Sequence, residues 1–342
     1  MSDINLKMPL TRQEMKNKSM EKFKVFCAYF IHPIFSEKKE STITPYSKIP
    51  FKQLISYFED KNFADLSNSK IALLCAEVNN RVCRKLSCYA SKIVCEQGEK
   101  NESFMIYYPE DNSINMYADF IKSFLSDRSD EIGLEFLFSI LHETYHACQT
   151  ENVKNFMQNK PCNMDMLNSY VQNTINLTDQ FFMENIDKIF TVKIDNNKYS
   201  PSFYELYFTR GQMDYVSDFQ EFEANYFALK MLKNFEEKGY LKNSKLLNSV
   251  CFNAINEMSN WLYIFNKQEK HFNKTKNELL YIADKIPEDE IRMYSSTKPK
   301  IVGLLKNFDT EKIFADRKSK LRELIGMGIV SEQQNLSNNY EK

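Results

Sequence analysis

One apolar stretch limits how this chain can fold. Residues 131–149 form an apolar run of helical length that lacks proline, and its only glycine, Gly133, stands near the start. His142 and His146, two of the four histidines in the chain, lie four residues apart in this run, with Glu143 after the first. Residues four apart share one face of a helix, so both imidazoles can reach one Zn²⁺ ion. Glu143 lies about 100° further round the helix, where it can act on a water molecule bound to that ion.

The residues before this run favour a helix start. Asp127, Ser129 and Asp130 offer N-cap candidates and a negatively charged first turn. The competing interpretation is a pair of surface histidines on an ordinary packed helix, because motifs this short also occur by chance.

A catalytic zinc site needs a third protein ligand besides water. Residues 218–235 are predicted to form a later helix that carries two glutamates, Glu221 and Glu223. Three short side chains lie within about 60° of Glu221 on this helix: Ala224, Asn225 and Ala228. Such a narrow face can approach the histidine helix closely. Glu223 lies about 200° away from Glu221, so Glu221 is the predicted third ligand and Glu223 is the alternative.

Asn225 stands one helical turn after Glu221. Its side-chain oxygen could accept the free ring N–H of a ligating histidine, which would fix the tautomer and orientation of that ring. The alternative is an asparagine that is hydrogen-bonded locally to the backbone of its own helix.

These two motifs resemble those of a known class of enzymes. The segment His142–His146, followed on a later helix by EFEANYFA at residues 221–228, resembles the pattern of gluzincin metallopeptidases. The second segment is locally similar to the ImmA/IrrE-like peptidases, and the similarity covers about residues 100–235. The resemblance implies a zincin-like core with a small sheet packed on the metal-binding helix. It also implies zinc held by His142, His146 and Glu221, with Glu143 as the base.

The composition favours helices over a turn-rich all-β fold, because the chain has only seven glycines and many aromatic residues. We therefore predict an α+β fold that is predominantly helical. Three regions are expected: an N-terminal arm and linker (1–50), a zincin-like core (51–240) with a helical insertion at about 152–215, and a C-terminal helical region (241–342). The predicted helices cover about 21–31, 51–59, 67–91, 131–149, 164–190, 218–235, 242–267, 274–285 and short pieces of 301–324.

Two short β-prone runs precede the histidine helix. Residues 103–108 and 113–117 are separated by the turn-rich tetrapeptide PEDN, which is typical of a hairpin. A strand beside the metal helix would have an open edge, where an extended peptide substrate could pair by main-chain hydrogen bonds. An ordinary hairpin without a ligand is the equal alternative.

Charge and hydropathy exclude some partners. The formal net charge is −1 and no strongly basic face is evident, so nucleic acid is not expected as a partner. The first residues lack the pattern of a signal peptide. The densest apolar stretch, 25–35, is too short to span a bilayer and is interrupted by Pro33. We expect a cytoplasmic protein that has no contact with membranes.

The eight cysteines show no CxxC pair, which favours buried free thiols. A second metal site is conceivable only if four of them converge: Cys75, Cys83, Cys88 and Cys95. Their helical spacings do not converge on one point, which argues against such a site. The two remaining histidines, His32 and His271, have no neighbours at metal-binding spacing and are expected to be surface or interhelical residues.

The motifs together predict a zinc-dependent metalloendopeptidase that acts on a protein or peptide substrate, with Glu143 activating the water. A nearby tyrosine could steady the oxyanion of the reaction. The sequence does not choose among Tyr145, Tyr204, Tyr207 and Tyr215. The alternative function is a catalytically inactive zinc-binding regulatory or interaction protein that has a peptidase-like fold.

Overall fold

The computed structural model describes residues 22–27, 49–96, 104–109, 111–175, 178, 219–285 and 298–329; the side chains of 253, 257, 260–271 and 328–329 lie outside this description. These residues are mostly helical and include a small sheet, as predicted; the sheet has three strands. Within them, no helix has the length and the apolar character that crossing a bilayer requires.

Ten α-helices and three strands make up the described part of the chain. The helices are α1 (22–27), α2 (Phe51–Ser56), α3 (Asn68–Lys85), α4 (Ala118–Phe124), α5 (Ile132–Met157), α6 (164–175), α7 (Phe219–Glu237), α8 (Ser244–Ala283), α9 (Lys298–Asn307) and α10 (Thr310–Leu324). The strands are β1 (Lys92–Cys95), β2 (Met105–Tyr108) and β3 (Ser113–Met116). Shorter 3₁₀ turns cover Tyr57–Glu59, Phe63–Asp65 and Ser126–Glu131, and a π-helical turn covers Ile325–Ile329.

The sheet has the strand order β1-β3-β2. Strands β2 and β3 are antiparallel and form the predicted hairpin, whereas β1 pairs with β3 in parallel. The N–H of Tyr117 donates to the carbonyl oxygen of Phe104, so these two residues form a hydrogen-bonded pair. Such pairs alternate along an antiparallel ladder, so Ile106 and Tyr108 are the next residues of β2 that exchange hydrogen bonds with β3. The main-chain groups of Met105 and Tyr107 therefore point away from β3, toward the outer edge of β2.

Helix α5 lies within the core and is buried on nearly all sides from Ile132 to Lys154. Helices α3 and α7 and strand β2 all pack against it. A helix that is apolar all round belongs in a core, and the sequence of α5 has that character over its first half. Gly133 is required near its start, because a Cβ atom there would collide with the carbonyl oxygen of Phe58.

Several expectations about the elements differ from the structure: α4 was not predicted, and α5 continues to Met157 instead of ending near residue 149. Helix α3 ends at Lys85 rather than near residue 91, and Ser87 follows it with a φ of 56°. Strand β1 was not predicted, because four residues carry too little periodicity to be recognised. The two helices predicted at 242–267 and 274–285 are one 40-residue helix, α8. The stretch between them is polar but holds no proline or glycine, so nothing stops the helix.

The chain divides into two compact units. The first comprises 33–170, 216–267 and 311–342, and it contains α2–α5, the sheet, α7 and α10. The second comprises 1–32, 171–215 and 268–310. Within the second unit, Lys22 forms an ion pair with Glu278 at 3.2 Å, and Thr310 Oγ1 donates to Asn273 Oδ1 at 2.8 Å. The three regions expected from the sequence remain a prediction.

Candidate metal site

Helices α5 and α7 bring three metal-binding side chains together. His142 Nε2 lies 2.8 Å from Glu221 Oε2, and His146 Nε2 lies 3.1 Å from Glu221 Oε1. The two Nε2 atoms are 3.0 Å apart. The ligand atoms of all three residues lie within 4.8 Å of one another, so the group is positioned to hold a metal ion.

The outer nitrogen of each imidazole faces an amide oxygen. His142 Nδ1 lies 2.7 Å from Asn225 Oδ1, and His146 Nδ1 lies 2.8 Å from Gln149 Oε1. The orientation of the Gln149 amide is fixed because its Nε2 donates to the carbonyl oxygen of Gln220 at 3.3 Å. Since an amide oxygen only accepts, each Nδ1 carries the proton and donates it. Each Nε2 is then left with a lone pair that points toward the other two ligands.

The atoms of His142, His146 and Glu221 that face one another are therefore all hydrogen-bond acceptors. Two nitrogen lone pairs and one carboxylate face each other, and His142 and Glu221 are only 6% and 7% exposed. Burial by itself raises the pKa of Glu221, and positive charge on the two facing imidazoles lowers this pKa well below its ordinary value; when both Nε2 atoms keep their lone pairs, another cation must supply that charge. A buried, ionised carboxylate against two lone pairs requires a cation, and a metal ion supplies one charge centre for all three.

Glu143 lies beside this group but is not one of the three converging ligands. Its Oε1 is 4.0 Å from His142 Nε2, and its Oε2 accepts a hydrogen bond of 2.8 Å from the main-chain N–H of Tyr107 on the outer edge of β2. Burial raises the pKa of Glu143, and the two imidazoles and the N–H of Tyr107 offset this only in part.

Glu223, the alternative ligand, lies away from the group. It is 4% exposed and forms ion pairs with Arg317 at 3.4 Å and Lys320 at 2.8 Å, both on α10. Arg317 is fully buried and also donates to Ser169 Oγ at 3.3 Å. Glu223 is thus held by two cations of α10. Its partner Arg317 is 94 residues away in the sequence, so no local pattern reveals the pair.

A buried polar chain ties α5 to α3 and to the start of the sheet. Thr144 Oγ1 donates to the carbonyl oxygen of Ile140 at 2.6 Å and accepts from Asn79 Nδ2 at 2.9 Å. Asn79 Oδ1 in turn accepts from the N–H of Ser91 at 3.0 Å. Because Thr144 stands between the two histidines, these bonds fix the rotation of α5 at the site.

Sequence reasoning missed two contacts of the site. Gln149 stands three residues after His146, a spacing at which helical side chains meet, so it could have been found by the reasoning that found Asn225. Tyr107 contributes only its main-chain N–H, which no residue pattern marks.

Of the four tyrosines that could steady the oxyanion, Tyr145 lies among the described residues. The ring of Tyr145 stacks on Phe227 of α7 with centroids 4.8 Å apart, and burial raises its pKa. Tyr204, Tyr207 and Tyr215 lie outside the described residues, as do His32 and the side chain of His271.

One prediction about the cysteines is wrong. Cys88 and Cys148 form a disulfide with Cα atoms 5.6 Å apart, whereas free thiols were predicted for all eight cysteines. The reason lies in the early end of α3, because Cys88 then folds back against α5 instead of continuing along a helix. Four of the other cysteines are buried free thiols, as expected: Cys27, Cys75, Cys83 and Cys251.

Comparisons with known proteins give no relative for this chain: no protein-family model, no curated protein and no solved structure matches it.

Proposed function

We propose that this protein is a zinc-dependent metalloendopeptidase of the gluzincin type, with a zincin-like core formed around α5, α7 and the sheet. His142, His146 and Glu221 would hold the zinc, and Glu143 would activate the water. The observation that carries this proposal is the convergence of three ligand atoms within 4.8 Å, with the Glu143 carboxylate beside them.

The donor set supports zinc in particular. Two imidazoles and one carboxylate are a ligand set of catalytic zinc sites, and three protein ligands leave one position of a tetrahedral ion for water. When bound, zinc lowers the pKa of its water toward neutrality and polarises the scissile carbonyl. Asn225 and Gln149 accept the outer N–H groups of the two imidazoles, which keeps both Nε2 lone pairs directed at the ion.

Glu143 is suited to move the proton. Its carboxylate lies 4.0 Å from His142 Nε2, so it can take a proton from the water and pass it on to the leaving amine. The N–H of Tyr107 holds one carboxylate oxygen, so the side chain is already oriented toward the ligand group before substrate arrives.

The edge of β2 supports a peptide as substrate. The main-chain groups of Met105 and Tyr107 point away from β3, and the N–H of Tyr107 already reaches Glu143. An extended peptide that pairs with this edge would run past the ligand group and would bring a main-chain carbonyl toward Glu143.

The Glu143→Gln variant tests the proposal. We expect it to bind about one zinc per chain, as the wild type does, and to lose at least about a hundredfold in hydrolysis of a peptide library, because it lacks the base. The matched control is Glu135→Gln, which removes a carboxylate from the same helix about two turns earlier and should cleave like the wild type. Equal rates for Glu143→Gln and wild type would refute the role of Glu143. Bound zinc without cleavage by the wild type would favour the inactive zinc-binding protein instead.

A further inference from the structure

A second group of metal-binding atoms lies in the same unit as the histidines. Cys83 is near the end of α3, Cys88 follows that helix, and Cys148 is on α5. Their three sulfur atoms lie within 4.8 Å of one another. A disulfide accounts for two of these sulfurs, Cys88 and Cys148, and leaves the close approach of Cys83 unexplained.

The three sulfurs lie among apolar side chains, one of which is a methionine. Cys83, Cys148 and Met166 form one buried cluster, and Leu86, Ala90 and Tyr145 pack against it. Cys83 is 0% exposed and Cys148 is 3% exposed. Thiolate and thioether sulfur select soft ions such as Cu(I) and Zn²⁺ over hard ions that prefer oxygen. Among the described residues, the ligand group itself contains no imidazole or carboxylate.

The three sulfurs also come from segments that the fold holds in place. Cys88 is anchored because its N–H donates to the carbonyl oxygen of Cys83 at 2.9 Å. The buried Asn79–Thr144 hydrogen bond of 2.9 Å joins α3 to α5 one turn before Cys148. These connections do not depend on the disulfide, so its reduction leaves the three thiols near one another.

We propose that Cys83, Cys88 and Cys148 form a second metal site, which takes one thiophilic ion when the Cys88–Cys148 bond is reduced. A dithiol reductant transfers two electrons and two protons to this bond and closes to its own disulfide, which leaves two new thiols beside Cys83. A divalent ion then displaces three protons and binds the three thiolates. The proposal does not rest on the peptidase function, because it uses none of the histidine-site ligands.

Cadmium is a suitable probe, because its bonds to thiolates give a charge-transfer absorption in the ultraviolet that bonds to imidazole and carboxylate do not give. The wild-type chain is reduced with a phosphine, which leaves no competing thiol, and is titrated with Cd²⁺. We expect one equivalent of Cd²⁺ to bind tightly at the thiols and to give the absorption of three thiolates, whereas Cd²⁺ at the histidine site adds nothing to this band. Without reductant, the same chain should contain six free thiols and should show no tight three-thiolate complex.

Cys83→Ser keeps the Cys88–Cys148 pair and removes the third ligand. It should lower the charge-transfer amplitude by about a third and weaken Cd²⁺ binding at least about tenfold. The matched control, Cys95→Ser, removes an exposed thiol outside the group and should leave both values unchanged. The proposal is overturned if the reduced wild type gives no tight three-thiolate band, or if Cys83→Ser and wild type give the same band. The comparison of reduced with unreduced wild type decides the matter even if Cys83→Ser does not fold.

Discussion

Gln149 offers a sharp test of how the histidine site is held. Its side chain is 0% exposed, and it joins His146 Nδ1 at 2.8 Å to the carbonyl oxygen of Gln220 at 3.3 Å. Gln149→Leu keeps much of the buried volume but removes the acceptor that selects the tautomer of His146. Loss of such a partner weakens metal binding by about 10–100-fold, which corresponds to about 1.4–2.8 kcal/mol.

The assay is competition for Zn²⁺ between the protein and a chelator of known affinity. Gln149→Glu is the informative companion variant, because a carboxylate still accepts from His146 Nδ1 although it cannot donate to Gln220. We expect Gln149→Glu to bind zinc within about tenfold of the wild type and Gln149→Leu to bind clearly more weakly. Wild-type affinity in Gln149→Leu, or equal losses in both variants, would refute the idea that the acceptor of His146 supports the metal.

Two further predictions concern stability. Gly133→Ala should lower the free energy of unfolding by about 1–3 kcal/mol, because the new methyl group meets the carbonyl oxygen of Phe58; thermal unfolding measures this, and an unchanged midpoint would contradict the close approach. Glu223→Gln should lower the free energy of unfolding by about 3–5 kcal/mol, because it removes the carboxylate that faces the fully buried Arg317. The exposed Glu311→Gln on the same helix as Arg317 serves as its control, and an equally small loss in both would show that the buried pair contributes little.

The positions that share a helix face were predictable from the sequence. His142 and His146 follow from their spacing of four, and Glu221 with Asn225 follows from the same geometry on α7. In the structure these four side chains meet, since each helix needs only its own periodicity to present them. The predominantly helical class and the hairpin were also predictable, because composition and turn residues signal them locally.

The features that were missed depend on contacts distant in sequence or on the backbone. The disulfide joins cysteines 60 residues apart, and no spacing rule identifies such a pair. Strand β1 is defined by its pairing with β3 rather than by its own four residues. The continuity of α8 reflects the absence of a helix breaker in the polar stretch between the two helices that were predicted there.

His142, His146 and Glu221 are proposed to bind one zinc ion. The most direct test is the zinc content of purified wild type, His146→Ala, Glu221→Ala and the control Glu135→Ala, by elemental analysis after dialysis against a weak chelator. We predict about one zinc per chain in the wild type and in the control, and none in the other two variants. No zinc in the wild type, or zinc retained in Glu221→Ala, would contradict this account.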